Sequence, residues 1–340
     1  MELNHQSSTL LIRDLGEQGL LQRLQRFCPA DVVGDDAAVI VTEPGRSLVV
    51  TTDVLVDGVH FSDRTTSVED VGWRAAAVNL SDLAAMGASP LGITVGLAVP
   101  GEVSVAWIEQ LYQGLAACLQ QHDTVIVGGD ICRSSVTTVA IAAFGQVDPN
   151  QVIRRSTAQP GDAILVTGVH GASRAGLELL LNPKSGQTLS AAERNILIQA
   201  HQRPQPRLDV LPLLWEAEQA AFKLRVAGMD SSDGLADAVV QICRASQVGA
   251  QLERSQIPIP APLRQWISAE QALDWALYGG EDFELVLCLP PGIAQALITR
   301  LGTGATIVGA IAADPEVRLV DTTGHYPDEI LNLKQGFQHF

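Results

Sequence analysis

Aromatic residues make up only 4% of this 340-residue sequence, so any hydrophobic core has to be built from Val, Leu, Ile and Ala. Basic residues are also few: 22 Lys and Arg stand against 38 Asp and Glu, a net charge of −16. A field of that sign repels nucleic acid and anionic lipid and argues against both as partners. It repels polyphosphates equally, unless metal cations neutralise part of it. The five cysteines (Cys28, Cys118, Cys132, Cys243, Cys288) form no C-x-x-C pair and are odd in number. They fit free thiols in a reducing cytoplasm better than a disulfide framework or a zinc site. The opening MELNHQSSTLLIRDLGEQG has no basic-then-apolar signal pattern, and no apolar run approaches the ~20 residues of a membrane span. A cytoplasmic location without membrane attachment is the expectation.

Several familiar chemistries are missing too. No G-x-x-x-x-G-K-[ST] loop, no H-R-D or D-F-G set, no H-E-x-x-H, no G-x-S-x-G elbow and no G-x-G-x-x-G fingerprint occurs. The EF-hand spacing is absent, and the seven histidines are scattered.

The length suits two domains, and a 46% hydrophobic content lets each bury a core, while 18% charge argues against long disorder. A helix is expected around residues 10–27, then the loop VVGDDAAVIV and the Val- and Thr-rich strand SLVVTTDVLVDGVHF with an Asp-Gly turn near its end. SVEDVGWRAAAVNLSDLAAMGA reads as a helix with an acidic first turn, stopped at Gly87. A strand, a helix and two further strands follow. The Pro- and Gly-containing DPNQVIRRSTAQPGD is the expected linker, dividing residues 1–148 from 149–340. Beyond it strands and helices interleave again, so α/β or α+β is the fold class in both halves.

The placement of acids is the informative feature. Asp35 and Asp36 follow Gly34, Asp53 interrupts an otherwise apolar or β-branched strand, and Asp82 lies in an alanine-rich helix. Asp130 follows a hydrophobic strand and two glycines, Asp230 and Asp233 flank Ser231-Ser232, and Glu281-Asp282 follow Gly279-Gly280. Glycine beside an acid at a strand end lets backbone approach a ligand while a carboxylate points at it. Taken singly, Asp35-Asp36 and Asp57-Gly58 are ordinary turns, and Ser231, Ser232 and Asp233 could cap a helix. Asp53 resists such a reading because Asp is depleted in strands. Together, many carboxylates with few matching bases suit hard cations with oxygen ligands, Mg²⁺ above all. GVHGASRAG, glycine-rich after a strand, reads either as phosphate-adjacent or, by preference, as a helix entry.

GDDAAV (34–39), TTDVLVDGVHF (51–61), AAVNLSDLAAMGASP (76–90), VGGD (127–130), RRSTAQPGD (154–162), MDSSDGLADAV (229–239) and GGEDFEL (279–285) occur in one order along nearly the whole chain. In this set the sequence resembles the thiamine-monophosphate kinase family, within the ATP-binding superfamily that includes aminoimidazole ribonucleotide synthetase. NLSDLAAMGA, and SDGL together with GGEDFEL, are specific signals; GDD or GGD alone would not be. The resemblance implies a two-domain PurM-like fold: an N-terminal sheet-and-helix domain that pairs across a homodimer, and a C-terminal α/β domain. It implies transfer of a phosphoryl group from ATP to thiamine monophosphate with several Mg²⁺ ions. Asp36, Thr51, Thr52, Asp53, Asp82, Asp130, Asp230 and Asp233 would then hold magnesium, and Gly129, Asp130, Arg155 and Ser232 would contact ATP. Arg155 is taken rather than Arg154 because it precedes Ser156. His60, Glu281 and Phe337 would bind thiamine monophosphate, although relatives often carry Tyr or Trp at the last position. Sister activities remain alternatives: Cys28 in RFCPAD does not match a selenophosphate synthetase cysteine, the GFQHF end lacks the cysteine tail of the hydrogenase-maturation relative, and aminoimidazole ribonucleotide synthetase shares the scaffold but not NLSDLAAMGA. A non-catalytic nucleotide or metal sensor is the alternative of another class.

Overall fold

The structure is a computed structural model that describes residues 10–29, 37–219, 224–333 and 336. Its backbone contacts divide the chain into two compact units, the first of Met1–Leu83 and Ser89–Val147, the second of Ala84–Ala88 and Asp148–Phe340.

The first unit contains α1 (Ile12–Leu24), β1 (Ser47–Val56), α2 (Val68–Ala85) up to Leu83, β2 (Ser89–Val99), α3 (Val105–Gln120), β3 (Ile126–Arg133) and β4 (Thr138–Val147). The strands form one sheet in the order β1-β4-β2-β3, with β4 antiparallel to both neighbours and β3 parallel to β2. In β1 the side chains alternate. Val49, Thr51, Asp53 and Leu55 lie on the more buried face, and Leu48, Val50, Thr52 and Val54 on the exposed one. Leu48, Val50 and Val54 are 54%, 55% and 44% exposed, an apolar stripe that the first unit itself leaves uncovered.

Local chemistry explains α2. The Ser67 hydroxyl accepts the Asp70 N–H (3.2 Å) and donates to its carboxylate (2.6 Å), and Glu69 and Asp70 place negative charge at the positive end of the helix. Gly87, at φ +75°, turns the chain out of it. The backbones of α2 and α3 approach closely. A Cβ at Gly114 would stand 1.8 Å from the Glu69 carbonyl oxygen, and one at Gly72 2.0 Å from that of Leu111. No residue but glycine fits at either position.

The second unit holds β5 (Ala163–Val166), α4 (Ala172–Leu181), α5 (Ala191–Gln202), α6 (Val210–Gln219), β6 (Ala227–Asp230), α7 (Leu235–Ser246), β7 (Gly249–Glu253), α8 (Leu263–Trp266), α9 (Ala269–Tyr278), β8 (Leu285–Leu289), α10 (Pro291–Leu301), β9 (Thr306–Ala312), β10 (Val317–Val320) and β11 (Glu329–Ile330). Its sheet runs β11-β10-β7-β9-β5-β8-β6. The central strands AILV and LVLCL are buried at every residue, as strands covered on both faces must be. One core lies between the sheet and α7, a second involves α6 and α10, and a third joins α4, α5, α8 and α9. The fold is thus mixed α and β in both units. Among the described residues no helix is long and apolar enough to cross a membrane.

Candidate active site

In the first unit two distant segments meet on the inner face of β1. The Thr51 hydroxyl donates to the Asp82 carboxylate of α2, and the Asp53 N–H donates to the Asn79 side-chain oxygen at 3.1 Å. Asn79, fully buried, is itself fixed by its amide bond to the Ala75 carbonyl at 2.9 Å. Strand alternation brings Thr51 and Asp53 together here and sends the Thr52 side chain to the opposite, exposed face, so Thr52 can serve this group only through its main chain. Asp36 lies outside the described residues.

Past the end of β1, Asp57-Gly58 is the turn its sequence suggests, with Gly58 at φ +77°. It folds His60 back so that Nδ1 accepts the Val56 N–H at 3.1 Å. A neutral imidazole accepting at Nδ1 must carry its proton on Nε2, so His60 can donate from that nitrogen.

At the edge strand β3, Gly128, Gly129 and Asp130 border a cleft of about 700 Å³ walled by Leu21, Leu24, Tyr112 and Phe144. Gly129 is there for space: a Cβ would come within 2.3 Å of the Val95 carbonyl oxygen on the neighbouring strand. Asp130 is exposed. Tyr112 is buried, its ring 5.7 Å from that of Phe27, and burial holds its hydroxyl well above the ordinary range.

In the second unit the site sits where β6 ends. Asp230 is 3% exposed and accepts the Ser232 hydroxyl at 3.0 Å; Asp233, next along, is exposed. Ser231 and Ser232 are not helix caps, since α7 begins after Gly234 with no side-chain cap at that position. The Ser231 hydroxyl instead accepts the Glu284 N–H at 3.2 Å and pairs with His170 Nε2 at 3.1 Å. Burial pushes the enclosed His170 down to about 4, against the opposing bond to the Gly168 carbonyl, so it is neutral at pH 7.

The G-G-E-D-F segment lies alongside. Gly280, Glu281 and Phe283 all have positive φ, at +65°, +60° and +52°. For the two residues other than glycine this is a strained conformation, which surrounding bonds must hold. The Glu281 N–H donates to the Ser232 carbonyl at 2.7 Å, and the Ser231 N–H to that of Glu284 at 2.8 Å. Asp282 accepts the Gly171 and Ser173 N–H groups at 2.7 and 2.9 Å. GVHGASRAG is therefore the entry to α4, and the carboxyl group that accepts N–H bonds at its N-terminus is that of Asp282. Burial pushes the Asp282 carboxyl up to about 7 in spite of those donors. Glu284 is held by the Thr167 hydroxyl at 2.6 Å and by Arg207. Arg155 is exposed in a 3₁₀ turn and donates to Gln241 of α7 at 2.6 Å. Phe337 lies outside the described residues.

Three comparisons with known proteins bear on this arrangement. Residues 34–147 match the family described as AIR synthase related protein, N-terminal domain, and residues 159–322 match its C-terminal domain. The thiamine-monophosphate kinase of Synechococcus elongatus is 55% identical over 331 residues, 97% of this chain and 98% of that one. The chain belongs to the thiamine-monophosphate kinase family. Among solved structures, the thiamine-monophosphate kinase of Stenotrophomonas maltophilia K279a aligns with a TM-score of 0.77 at 35% identity, covering 88% of this chain and 95% of its own. AaThiL complexed with AMPPCP and TMP aligns with a TM-score of 0.69 at 30% identity, covering 92% and 96%.

The magnesium that the resemblance implies can be tested against the donors present. Around Thr51, Asp53 and Asp82, and around Asp230, Ser232 and Asp233, the side-chain donors are hard oxygens, with no thiolate among them. Among the described residues no group of three or more His, Cys, Asp and Glu could hold a metal ion by itself. Hard oxygen donors fit Mg²⁺, which takes one or two carboxylates and completes its shell with phosphate oxygens and water.

Asn79, although it opens the motif NLSDLAAMGA, received no site role from the sequence, and neither did His170, His201 or Tyr112. Asn79 carried a signal, a polar residue of low helix propensity inside an alanine-rich helix. Tyr112 looked like any apolar-face residue of an amphipathic helix.

Proposed function

We propose that this chain transfers the γ-phosphoryl group of ATP to the phosphate of thiamine monophosphate, giving ADP and thiamine diphosphate. The observation that carries the reading is the convergence of Thr51, Asp53 and Asp82 from separate segments, in a chain 55% identical to a thiamine-monophosphate kinase. A phosphate oxygen of the acceptor forms a bond to the γ-phosphorus. The bond to the β–γ bridging oxygen breaks, and ADP leaves with its electron pair. The acceptor's second pKa is about 6, so at neutral pH it needs no general base and no covalent enzyme intermediate. What remains is to bring two polyanions together on a chain whose own charge is −16.

Asp36, Thr51, Thr52 (through its main chain), Asp53, Asp82, Asp130, Asp230 and Asp233 are the residues that hold magnesium. Bound Mg²⁺ supplies charge neutralisation for the phosphates. Gly129 gives the nucleotide a close backbone approach, Ser232 and Asp130 bind it, and Arg155 offers a cation to its phosphates. The apolar cleft beside Asp130 is of a size to take a nucleoside. His60 donates from Nε2 to the acceptor. Glu281 sets a carboxylate against its cationic thiazolium, and Phe337 offers an aromatic face. The uncovered stripe Leu48, Val50 and Val54 supports a homodimer through the first unit's sheet. Free cysteines, three of the five buried, support a reducing cytoplasmic setting.

The test is ADP release on adding thiamine monophosphate to protein with Mg·ATP, with thiamine diphosphate identified by chromatography. ADP release without thiamine monophosphate, or product formed equally well in excess chelator, would defeat the proposal.

A further inference from the structure

Glu281 is one of the two strained non-glycine residues in the G-G-E-D-F segment, and its side chain is only 35% exposed. Backbone strain fixes where its Cα sits but leaves a long side chain three rotatable bonds. Behind it stands His201, in the last turn of α5 and 3% exposed. His201 Nδ1 lies 3.4 Å from Glu281 Oε2 and 3.2 Å from the Ser173 hydroxyl. The imidazole has a rigid seat, because α5 touches the backbone of α4. A Cβ at Gly176 would fall 2.1 Å from the Leu197 carbonyl oxygen and 3.0 Å from His201 Cβ.

Ser173 ties the two acids together. Its N–H donates to Asp282, and its hydroxyl meets the histidine that contacts Glu281. A carboxylate only accepts hydrogen bonds, so the His201 tautomer that would hold Glu281 is the one with its proton on Nδ1.

We propose that His201 is a positioning residue that holds the Glu281 carboxylate in the orientation that meets the cationic ring of the acceptor. The assignment rests on the kinase reading given above, and deepens it by naming what sets acceptor recognition. Side chains held by a second layer of fixed partners keep a reacting geometry that free rotamers lose, and misplacement of about 1 Å can cost up to ~10²-fold. His201 acts on the acceptor side alone.

The experiment is steady-state kinetics of wild type, H201A, H201N, E281A and H201A/E281A. H201A is expected to raise KM for thiamine monophosphate by roughly tenfold while leaving KM for ATP unchanged. H201N, whose amide N–H can occupy the place of Nδ1–H, should recover most of the loss. In the E281A background H201A should add nothing, because its target is gone. Equal changes in both KM values, or multiplicative effects of H201A and E281A, would overturn the assignment. Should H201A not fold, H201L, E281A and their double variant carry the same comparison. If wild type makes no thiamine diphosphate, the kinase reading falls on its own. The contact is then read without turnover, by urea unfolding of the same proteins, where additive midpoint shifts for His201 and Glu281 substitutions would refute it.

Discussion

His170 and Asp282 predict a hidden pH compensation in the second unit. Burial raises the Asp282 carboxyl from 3.8 to about 7. As pH climbs from 4 to 7 the unfolded chain therefore gives up this proton before the folded one does, and Asp282 costs stability with rising pH. Burial lowers His170 from 6.5 to about 4, so as pH falls from 6.5 to 4 the unfolded chain gains a proton that the folded chain refuses. His170 therefore adds stability as pH rises through the same window. At 1.36 kcal/mol per pH unit the first effect is about 4 kcal/mol and the second about 3, of opposite sign, so wild type shows little of either. The perturbations are D282N and H170N, followed by urea unfolding between pH 4.5 and 7 through the fluorescence of Trp215, Trp266 and Trp275. Each variant is read as a difference from wild type, which cancels the other carboxylates. Lost hydrogen bonds shift the difference by a constant and leave its slope alone. D282N should gain on wild type as pH rises, and H170N should lose on it, each by about 2 kcal/mol or more across the range. Two flat difference curves would refute the burial-driven assignment of these protonation states.

Other outcomes follow from the same contacts. D53N and D82N should each lose on the order of 10²-fold in kcat at saturating magnesium, as expected for removing one electrostatic contact to the transferring phosphates; normal turnover would remove them from the site. G114A should destabilise the first unit by about 1–3 kcal/mol in thermal unfolding, because a methyl group has no space against the Glu69 carbonyl. If the proposed homodimer forms through the exposed stripe of β1, Val50→Asp places a charge in it and should turn a wild-type dimer into a monomer by analytical ultracentrifugation; a wild-type monomer, or a dimer unchanged by the substitution, would refute that interface.

The sequence by itself determined the element types and the spacing of the acids. Both are written in local chemistry: the alternation of SLVVTTDVLV, the Ser67 cap and Gly87 stop of α2, the buried runs AILV and LVLCL, and the glycine–acid pairs at strand ends. Only the tertiary structure decided which side of β1 each residue serves, bringing Thr51 and Asp53 to Asp82 and Asn79 and sending Thr52 away. It alone set the Asp282 carboxyl group at the start of α4, and gave His170 and His201 their partners. Those roles depend on burial and on contacts across as many as 111 residues of chain, such as Gly171 to Asp282, and no local pattern encodes them.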